Sequence, residues 1–304
     1  MNSESSKEPN APPSSDLPVP TSDLATPTSK FRLPTLLWLP VAYLLIVVLM
    51  MFLENWFIFF PTPYPGGDWE PLGIKPEDAW FQAADGIRLH GWYLPHPKPR
   101  GVVLFCHGNA GNLSHRAAAM QMLRERLGVS VLIFDYRGYG RSQGKPNEAG
   151  LYQDARAARQ WLAKREGIDP GEIVLMGRSL GGAVAVDLAA ADGAKALVLE
   201  STFTSIPDVA AYYYPWLPVR TIMRNRFDSA AKIAKYHGPL LQSHGDRDSI
   251  IPYRFGRSLF EAANQPKQFV TIKGRDHNDP QSQSYYDALI ALLDGLEPPR
   301  PRGG

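Results

Sequence analysis

Six short runs of consecutive apolar residues recur through the second two-thirds of the chain, and segments with helical periodicity separate them. Strands that are apolar at almost every position are buried on both faces, as in a parallel sheet covered by helices. Residues 79–95 precede these runs and form two β-rich stretches around Asp85-Gly86, which predicts a β-hairpin. A hairpin followed by βα units predicts an α/β fold with a mixed, mostly parallel, doubly wound sheet. The runs occupy residues 101–108, 129–138, 172–179, 194–201, 238–245 and 267–274.

The N-terminal part of the chain has a different character. Roughly 250 residues suffice for one α/β domain, whereas the chain has 304. The run Leu36–Leu53 contains no charge, and as a helix it would span about 27 Å, close to the thickness of a bilayer core. It lacks the polar face of a core helix, and no small-residue cleavage site of a signal peptide precedes Glu54. We therefore predict a disordered tail rich in proline and serine over residues 1–33 and a transmembrane anchor over residues 34–60.

The charges that flank the apolar run predict its orientation. Lys30 and Arg32 precede the run, whereas on its other side acidic residues, beginning with Glu54, come before the first lysine, Lys75. Cytoplasmic flanks of membrane helices carry an excess of lysine and arginine. The sequence therefore predicts a single-pass membrane protein whose large domain lies on the non-cytoplasmic side.

Composition argues against several classes of function. The chain has 32 Lys and Arg against 30 Asp and Glu, so it lacks the basic surplus of a nucleic-acid-binding protein. The single cysteine, Cys106, excludes an intrachain disulfide and lies within an apolar run, where we expect a buried thiol. The histidines show neither the HxxxH nor the HExxH spacing of metal sites. We expect no metal and no cofactor.

The segment Gly177–Gly181 has the pattern Gly-x-Ser-x-Gly. It follows an apolar, strand-like run and precedes an alanine-rich helical stretch. A nucleophilic serine needs this strand–turn–helix context, because the sharp turn strains the serine backbone and leaves no room for side chains on either side. Ser179 is then the candidate nucleophile, and the backbone N–H of Leu180 at the helix start would face a developing oxyanion. The alternative is an ordinary turn serine.

A serine hydroxyl needs a base to take its proton and an acid to orient that base. His277 follows a strand-like run and opens a loop, where a catalytic imidazole is expected. Two carboxylates, Asp246 and Asp248, follow the preceding strand, and their positions alone do not separate them. Either choice gives the chain order serine, aspartate, histidine that this arrangement requires.

These motifs resemble those of the α/β-hydrolase superfamily of serine hydrolases. That superfamily shares Gly-x-Ser-x-Gly, Gly-x-x-Asp-x-x-(Val/Ile)-Pro and Gly-x-x-His, which here occupy residues 177–181, 245–252 and 274–277. The resemblance selects Asp248 as the acid of a triad with Ser179 and His277. It implies the α/β-hydrolase fold, which we expect over residues 61–296. The proline-rich and glycine-rich residues 297–304 are expected to form a flexible tail.

Two further segments, residues 107–112 and 135–144, are similar to the membrane-anchored α/β-hydrolase domain-containing proteins. That branch includes fatty-acyl thioesterases that act on lipidated proteins, and it lies close to serine aminopeptidases. The resemblance places the second oxyanion donor at the backbone N–H of Asn109, or of Ala110 if the loop is shifted by one residue. His107 is expected to fix this loop. The chain lacks the N-terminal cysteine cluster of the thioesterases, so their substrates do not transfer directly.

An inserted lid is predicted over about residues 203–230. Residues 205–226 interrupt the βα rhythm with three prolines and an aromatic cluster at residues 212–216. The cluster either packs the lid onto the core or contacts an acyl group or the bilayer interface. Tyr213 and Trp216 are the candidate substrate-binding residues.

The sequence thus predicts a membrane-anchored serine hydrolase that cleaves a carboxylic ester or thioester through an acyl-enzyme. Its expected partner is a small-molecule or lipid-like acyl substrate. A peptidase similar to serine aminopeptidases and a non-catalytic, membrane-tethered binding protein on the same scaffold are the alternatives. The pattern assigns no role to Arg178, which lies beside the nucleophile.

Overall fold

The computed structural model describes residues 33–300, with side chains from Trp38 onward. Most of the predicted tail therefore lies outside the described residues. The chain divides into two units, residues 1–45 and 46–304, and the site described below belongs to the second. Helix α1, Leu33–Ile58, begins the described part. Within that part, one helical stretch, Trp38–Ile58, is long and apolar enough to cross a membrane, with a mean hydropathy of 2.2.

A mixed eight-stranded sheet forms the centre of the molecule. The strands run in the order β10-β9-β8-β7-β4-β6-β3-β2, parallel from β10 to β6, whereas β3 pairs antiparallel with β6 and with β2. The predicted hairpin and parallel sheet are confirmed. Two short strands, β1 and β5, form a separate parallel pair that the sequence did not indicate. The strands are β1 Phe60–Pro61, β2 Glu77–Gln82, β3 Arg88–Leu94, β4 Val102–Cys106, β5 Ala110–Gly111, β6 Ser130–Phe134, β7 Val174–Arg178, β8 Ala196–Glu200, β9 Leu240–Gly245 and β10 Lys267–Ile272.

Helices cover both faces of the sheet, which explains why the central strands are apolar at successive positions. In β4, Leu104 and Cys106 pack into one core and Val103 and Phe105 into the other. Helices α2 and α9 cover the second face, and α3, α4 and α8 cover the first. The helices after α1 are α2 Ala117–Leu127, α3 Glu148–Glu166, α4 Leu180–Asp192, α5 Ile206–Tyr213, α6 Val219–Ile222, α7 Ser229–Ile233, α8 Tyr253–Ala262 and α9 Gln283–Asp294, with 3₁₀ turns at Leu113–Arg116 and Pro170–Glu172.

Local signals fix the ends of α3. The Asn147 side chain accepts a hydrogen bond from the Gly150 N–H, which satisfies one of the unpaired amides of the first turn. Gly167 ends the helix in the left-handed conformation, with a φ of 68°.

Three short helices, α5, α6 and α7, lie between β8 and β9, where the sequence predicts a lid. A buried carboxylate, Glu54, ties this segment to the end of α1. Its Oε1 accepts hydrogen bonds from the backbone N–H groups of Arg224, at 3.0 Å, and Asn225, at 2.7 Å. The Asn225 side chain adds a third bond at 3.0 Å. The last turns of α1 are therefore part of the folded unit that contains the sheet.

Candidate active site

Ser179 occupies the sharp turn between β7 and α4. Its φ of 53° and ψ of −120° are strained for a residue with a side chain, as the sequence predicts. A Cβ atom at Gly177 would lie 2.3 Å from the Gly181 carbonyl oxygen, and one at Gly181 would lie 2.0 Å from the Cys106 carbonyl oxygen. Only glycine fits at either position. The Ser179 N–H donates to the Glu200 carbonyl at 2.9 Å, which ties the turn to β8.

The structure brings Asp248 and His277 together. The Nδ1 atom of His277 lies 2.7 Å from Oδ2 of Asp248. An ionised carboxylate can only accept, so Nδ1 donates and Nε2 is left to act as a base. The other candidate acid, Asp246, accepts a hydrogen bond from the Gly274 N–H at 2.6 Å and so joins the ends of β9 and β10. Of the two carboxylates that the residue positions left open, Asp248 is the one that contacts His277.

A second histidine, His244, approaches Asp248 from β9. Its Nε2 lies 2.8 Å from the Ile251 carbonyl oxygen and 3.2 Å from Asp248 Oδ2. Burial alone would raise the pKa of Asp248, but hydrogen bonds from His244 and His277 and the Ile251 N–H outweigh burial and hold the pKa well below its usual range. Asp248 therefore stays ionised. Sequence reasoning missed His244, although it directly precedes the Gly-x-x-Asp motif.

The predicted oxyanion donors lie on two separate elements. Leu180 is the first residue of α4, where backbone N–H groups have no partner within the helix. The loop after β4 lies beside Ser179, because a Cβ at Gly108 would be 3.6 Å from Ser179 Cβ. The Nδ1 atom of buried His107 donates to the Gly108 carbonyl at 2.7 Å. In a planar trans peptide the Asn109 N–H points opposite that carbonyl, so His107 sets its direction.

The Asn109 side chain binds the end of α1. Its Nδ2 donates to the carbonyl of Ile58, the last residue of α1, at 2.7 Å. The Asn109 carbonyl accepts from the Tyr139 hydroxyl at 2.8 Å and from the Phe60 N–H at 3.2 Å. Neither the sequence motif nor its spacing pointed to these contacts with the end of α1.

Arg178, for which the sequence offered no role, contacts the histidine loop. Its Nη2 donates to the His277 carbonyl at 2.5 Å. The adjacent Glu200 on β8 is buried and accepts a hydrogen bond from the Tyr285 hydroxyl at 2.6 Å. Burial raises the pKa of Glu200, and the positive charge of Arg178 and the Tyr285 hydroxyl offset only part of that effect. The arginine thus connects the strand that leads to Ser179 with the loop that carries His277.

The two predicted substrate-binding residues lie on the lid. The Tyr213 hydroxyl donates to the carbonyls of Ser249 and Ile250, at 2.6 and 3.0 Å, and so joins α5 to residues 245–252, which carry the candidate acid Asp248 and are called the acid loop. Trp216 is half exposed and lines an apolar cavity of about 140 Å³ between the lid and the end of α1. Their role toward substrate stays a prediction. Across the side chains that the structure describes, no three His, Cys, Asp or Glu residues group into a metal site.

The family described as alpha/beta hydrolase fold matches residues 101–288, and the chain belongs to that family. The uncharacterized protein Rv2307c of Mycobacterium tuberculosis is 44% identical over 226 residues, which cover 74% of this chain and 80% of that protein. The alpha/beta hydrolase domain-containing protein WAV2 of Arabidopsis thaliana is 36% identical over 250 residues, covering 75% and 81%. Family membership supports hydrolysis as the class of reaction.

Solved structures show the same fold at low sequence identity. The esterase Pf2001 of Pyrococcus furiosus superposes with a TM-score of 0.63 at 18% identity, covering 79% of this chain and 98% of that one. The acetyl xylan esterase of Paenibacillus sp. R4 gives 0.60 at 19% identity, covering 76% and 86%. The predicted α/β-hydrolase fold is confirmed.

Proposed function

We propose that the protein is a membrane-anchored serine hydrolase that cleaves a carboxylic ester or thioester through Ser179, Asp248 and His277. The observation that carries this proposal is the 2.7 Å hydrogen bond between Asp248 and His277 Nδ1, which prepares the other ring nitrogen to act as a base. The strained turn at Ser179 supports it, because such backbone strain is typical of a nucleophile at this position of the family fold.

In the proposed reaction, His277 Nε2 takes the proton from Ser179 Oγ as that oxygen attacks the acyl carbon. The tetrahedral oxyanion accepts hydrogen bonds from the N–H groups of Leu180 and Asn109. The protonated His277 then gives its proton to the departing alcohol or thiol, which leaves an acyl group on Ser179. Water activated by the same imidazole hydrolyses the acyl-enzyme and releases the acid. No step requires a cofactor.

We assign an acyl substrate to the site, with Tyr213 and Trp216 on its lid side. The half-exposed aromatic side chains of the lid support an apolar acyl group, and two solved structures of this fold are described as esterases. An aminopeptidase would use the same triad, so amide substrates belong in the same test.

We assign the α1 segment to the membrane and the catalytic domain to the non-cytoplasmic side. The length and hydropathy of Trp38–Ile58 support a membrane span. The hydrogen bonds that Asn225 donates to Glu54 argue against removal of this helix as a signal sequence, because cleavage would leave buried N–H groups unpaired. A reporter enzyme fused after Gly304 tests the orientation, and activity confined to the cytoplasm would refute it.

The reaction is tested with the full-length protein in detergent and p-nitrophenyl esters of graded chain length. We expect ester hydrolysis and covalent labelling by a fluorophosphonate, and we expect Ser179→Ala to abolish labelling and lower kcat by at least about 10⁴-fold. Hydrolysis of aminoacyl amides in preference to esters would support the peptidase. Labelling and turnover that survive the substitution would refute the triad, and a wild-type chain that shows neither would favour the binding-protein alternative.

A further inference from the structure

The segment that follows α1, residues 58–65, is a strap that is extended from Phe60 to Pro63 and in which prolines alternate with other residues. Prolines stand at positions 61, 63 and 65. Proline cannot donate a backbone hydrogen bond, so it fits an extended segment only where its nitrogen faces away from a partner. The residue directly before each proline does donate: the N–H of Phe60 to the Asn109 carbonyl at 3.2 Å, that of Thr62 to the Gly111 carbonyl at 2.9 Å, and that of Tyr64 to the Gly140 carbonyl at 2.8 Å.

Because of this alternation the strap is an ordered, hydrogen-bonded element and not a flexible linker. Each proline fixes one φ angle, which lowers the conformational entropy lost when the strap is ordered. The Thr62 carbonyl also accepts from the Gly140 N–H at 3.1 Å and from the Asn112 side chain at 3.0 Å. Thr62 is thus bonded through both its N–H and its carbonyl.

The strap contacts the residue whose N–H is the proposed second oxyanion donor. Asn109 is held at its carbonyl by the Phe60 N–H and at its side chain by the Ile58 carbonyl, the latter at 2.7 Å. Phe60 and Pro61 pair in register with Ala110 and Gly111 as a short parallel ladder. Residues 107–112, which carry the proposed donor, form the oxyanion loop. The His107 side chain holds this loop at the Gly108 carbonyl, and the strap pairs with it at Ala110 and Gly111.

The start of the strap is itself anchored. Phe59 is buried and meets the ring of Phe227 edge-on, with ring centres 6.2 Å apart. In the last turns of α1, Glu54 accepts hydrogen bonds from the backbone N–H and the side-chain amide of Asn225. The end of α1, the lid and the oxyanion loop are therefore joined through the strap.

We propose that the strap is a positioning element of the active site, which holds Asn109 so that its N–H can stabilise the oxyanion. This inference rests on the proposed hydrolase function. It follows that turnover depends on residues next to the apolar helix that do not touch the substrate. Because an oxyanion donor acts mainly in the transition state, a displaced strap should lower kcat and leave KM nearly unchanged.

Two substitutions in the full-length protein break different strap contacts. Phe60→Pro removes the N–H that binds the Asn109 carbonyl, and Asn109→Leu removes the side-chain donor to Ile58 while keeping the backbone N–H. We expect each to lower kcat for p-nitrophenyl butyrate at least about tenfold, since complete loss of one oxyanion donor costs about 10²–10³-fold. KM should change by less than about twofold. Leu72→Pro, at a fully exposed position in the next loop, is the matched control and should retain wild-type kcat.

The thermal midpoint and the rate of fluorophosphonate labelling separate the outcomes. A lower kcat in both variants, slower labelling of Ser179 and a midpoint close to that of wild type would support the positioning role. Unchanged kcat in Asn109→Leu, or a loss of activity explained by a smaller folded fraction in both variants, would overturn it. A wild-type chain without hydrolysis or labelling would overturn the hydrolase function and this inference together.

Discussion

The loop that carries Asp248 and the strap along the oxyanion loop are built in different ways. Asp248 receives two of its partners from nearby residues, Ile251 at 2.7 Å and His244 at 3.2 Å, three and four positions away. The strap reaches Asn109 across 51 positions of sequence, and Glu54 reaches Asn225 across 171. One side of the site is thus assembled locally, and the other depends on the end of α1.

Substitutions on the two sides of the site should therefore act in different ways. A local turn such as residues 245–252 forms wherever its own chain is ordered, because its hydrogen bonds close short loops at little entropic cost. The strap is held only after α1, the lid and the sheet have come together. A substitution in the acid loop should therefore lower kcat directly, by removing a group that the proposed reaction uses. A substitution in the strap should lower kcat indirectly, by displacing the Asn109 N–H.

Of these two sides of the site, the loop that carries Asp248 should give the larger effect. Asp248→Asn keeps the size of the side chain but lets it donate, which favours the wrong tautomer of His277, and we expect kcat to fall by about 10³–10⁴-fold. Asp246→Asn is the matched control two residues away. It should lower kcat by less than about tenfold, because Asp246 accepts a hydrogen bond from the Gly274 N–H and does not contact the imidazole. Ester kinetics of both variants test the ranking, and the reverse order would identify Asp246 as the acid.

The same contrast explains what could be predicted from the sequence. The strained turn at Ser179 and the strands of the sheet have local signatures, in glycine spacing and in runs of apolar residues. The resemblance then separated Asp248 from Asp246, and the structure shows that Asp248 is the one within hydrogen-bond distance of His277.

The missed contacts share a physical cause. The Glu54 carboxylate accepts hydrogen bonds from backbone N–H groups of the lid, and the Asn109 side chain donates one to the Ile58 carbonyl. Each bond joins a side chain to a backbone group far away in sequence. Any glutamate or asparagine could make such a bond, so no spacing or composition marks it. The alternating prolines of residues 61–65 were visible, but they indicate an extended strand with one bonding face and do not identify its partner.

A smaller effect is expected at Arg178, which links the strand that leads to Ser179 with the loop that carries His277. Arg178→Met removes the donor to the His277 carbonyl and should lower kcat about tenfold through a less well placed imidazole, with little change in KM. Arg178→Lys keeps a charged donor and should restore part of kcat. Loss of thermal stability without a change in kcat, or no rescue by lysine, would instead assign Arg178 a purely structural role beside Glu200.

The smallest effect should appear in the pH dependence of the thermal midpoint, through the ionisation of Asp248. The folded pKa of Asp248 lies below its unfolded value of about 3.9, because His244, His277 and the Ile251 N–H favour the ionised carboxylate over the effect of burial. A depressed pKa contributes stability that is present above the unfolded pKa and is lost as pH falls through the folded one. The thermal midpoints of wild type and Asp248→Asn should therefore differ at pH 5 and converge as the pH falls below about 4. A difference that widens on acidification would show that the local hydrogen bonds of Asp248 do not favour its charge.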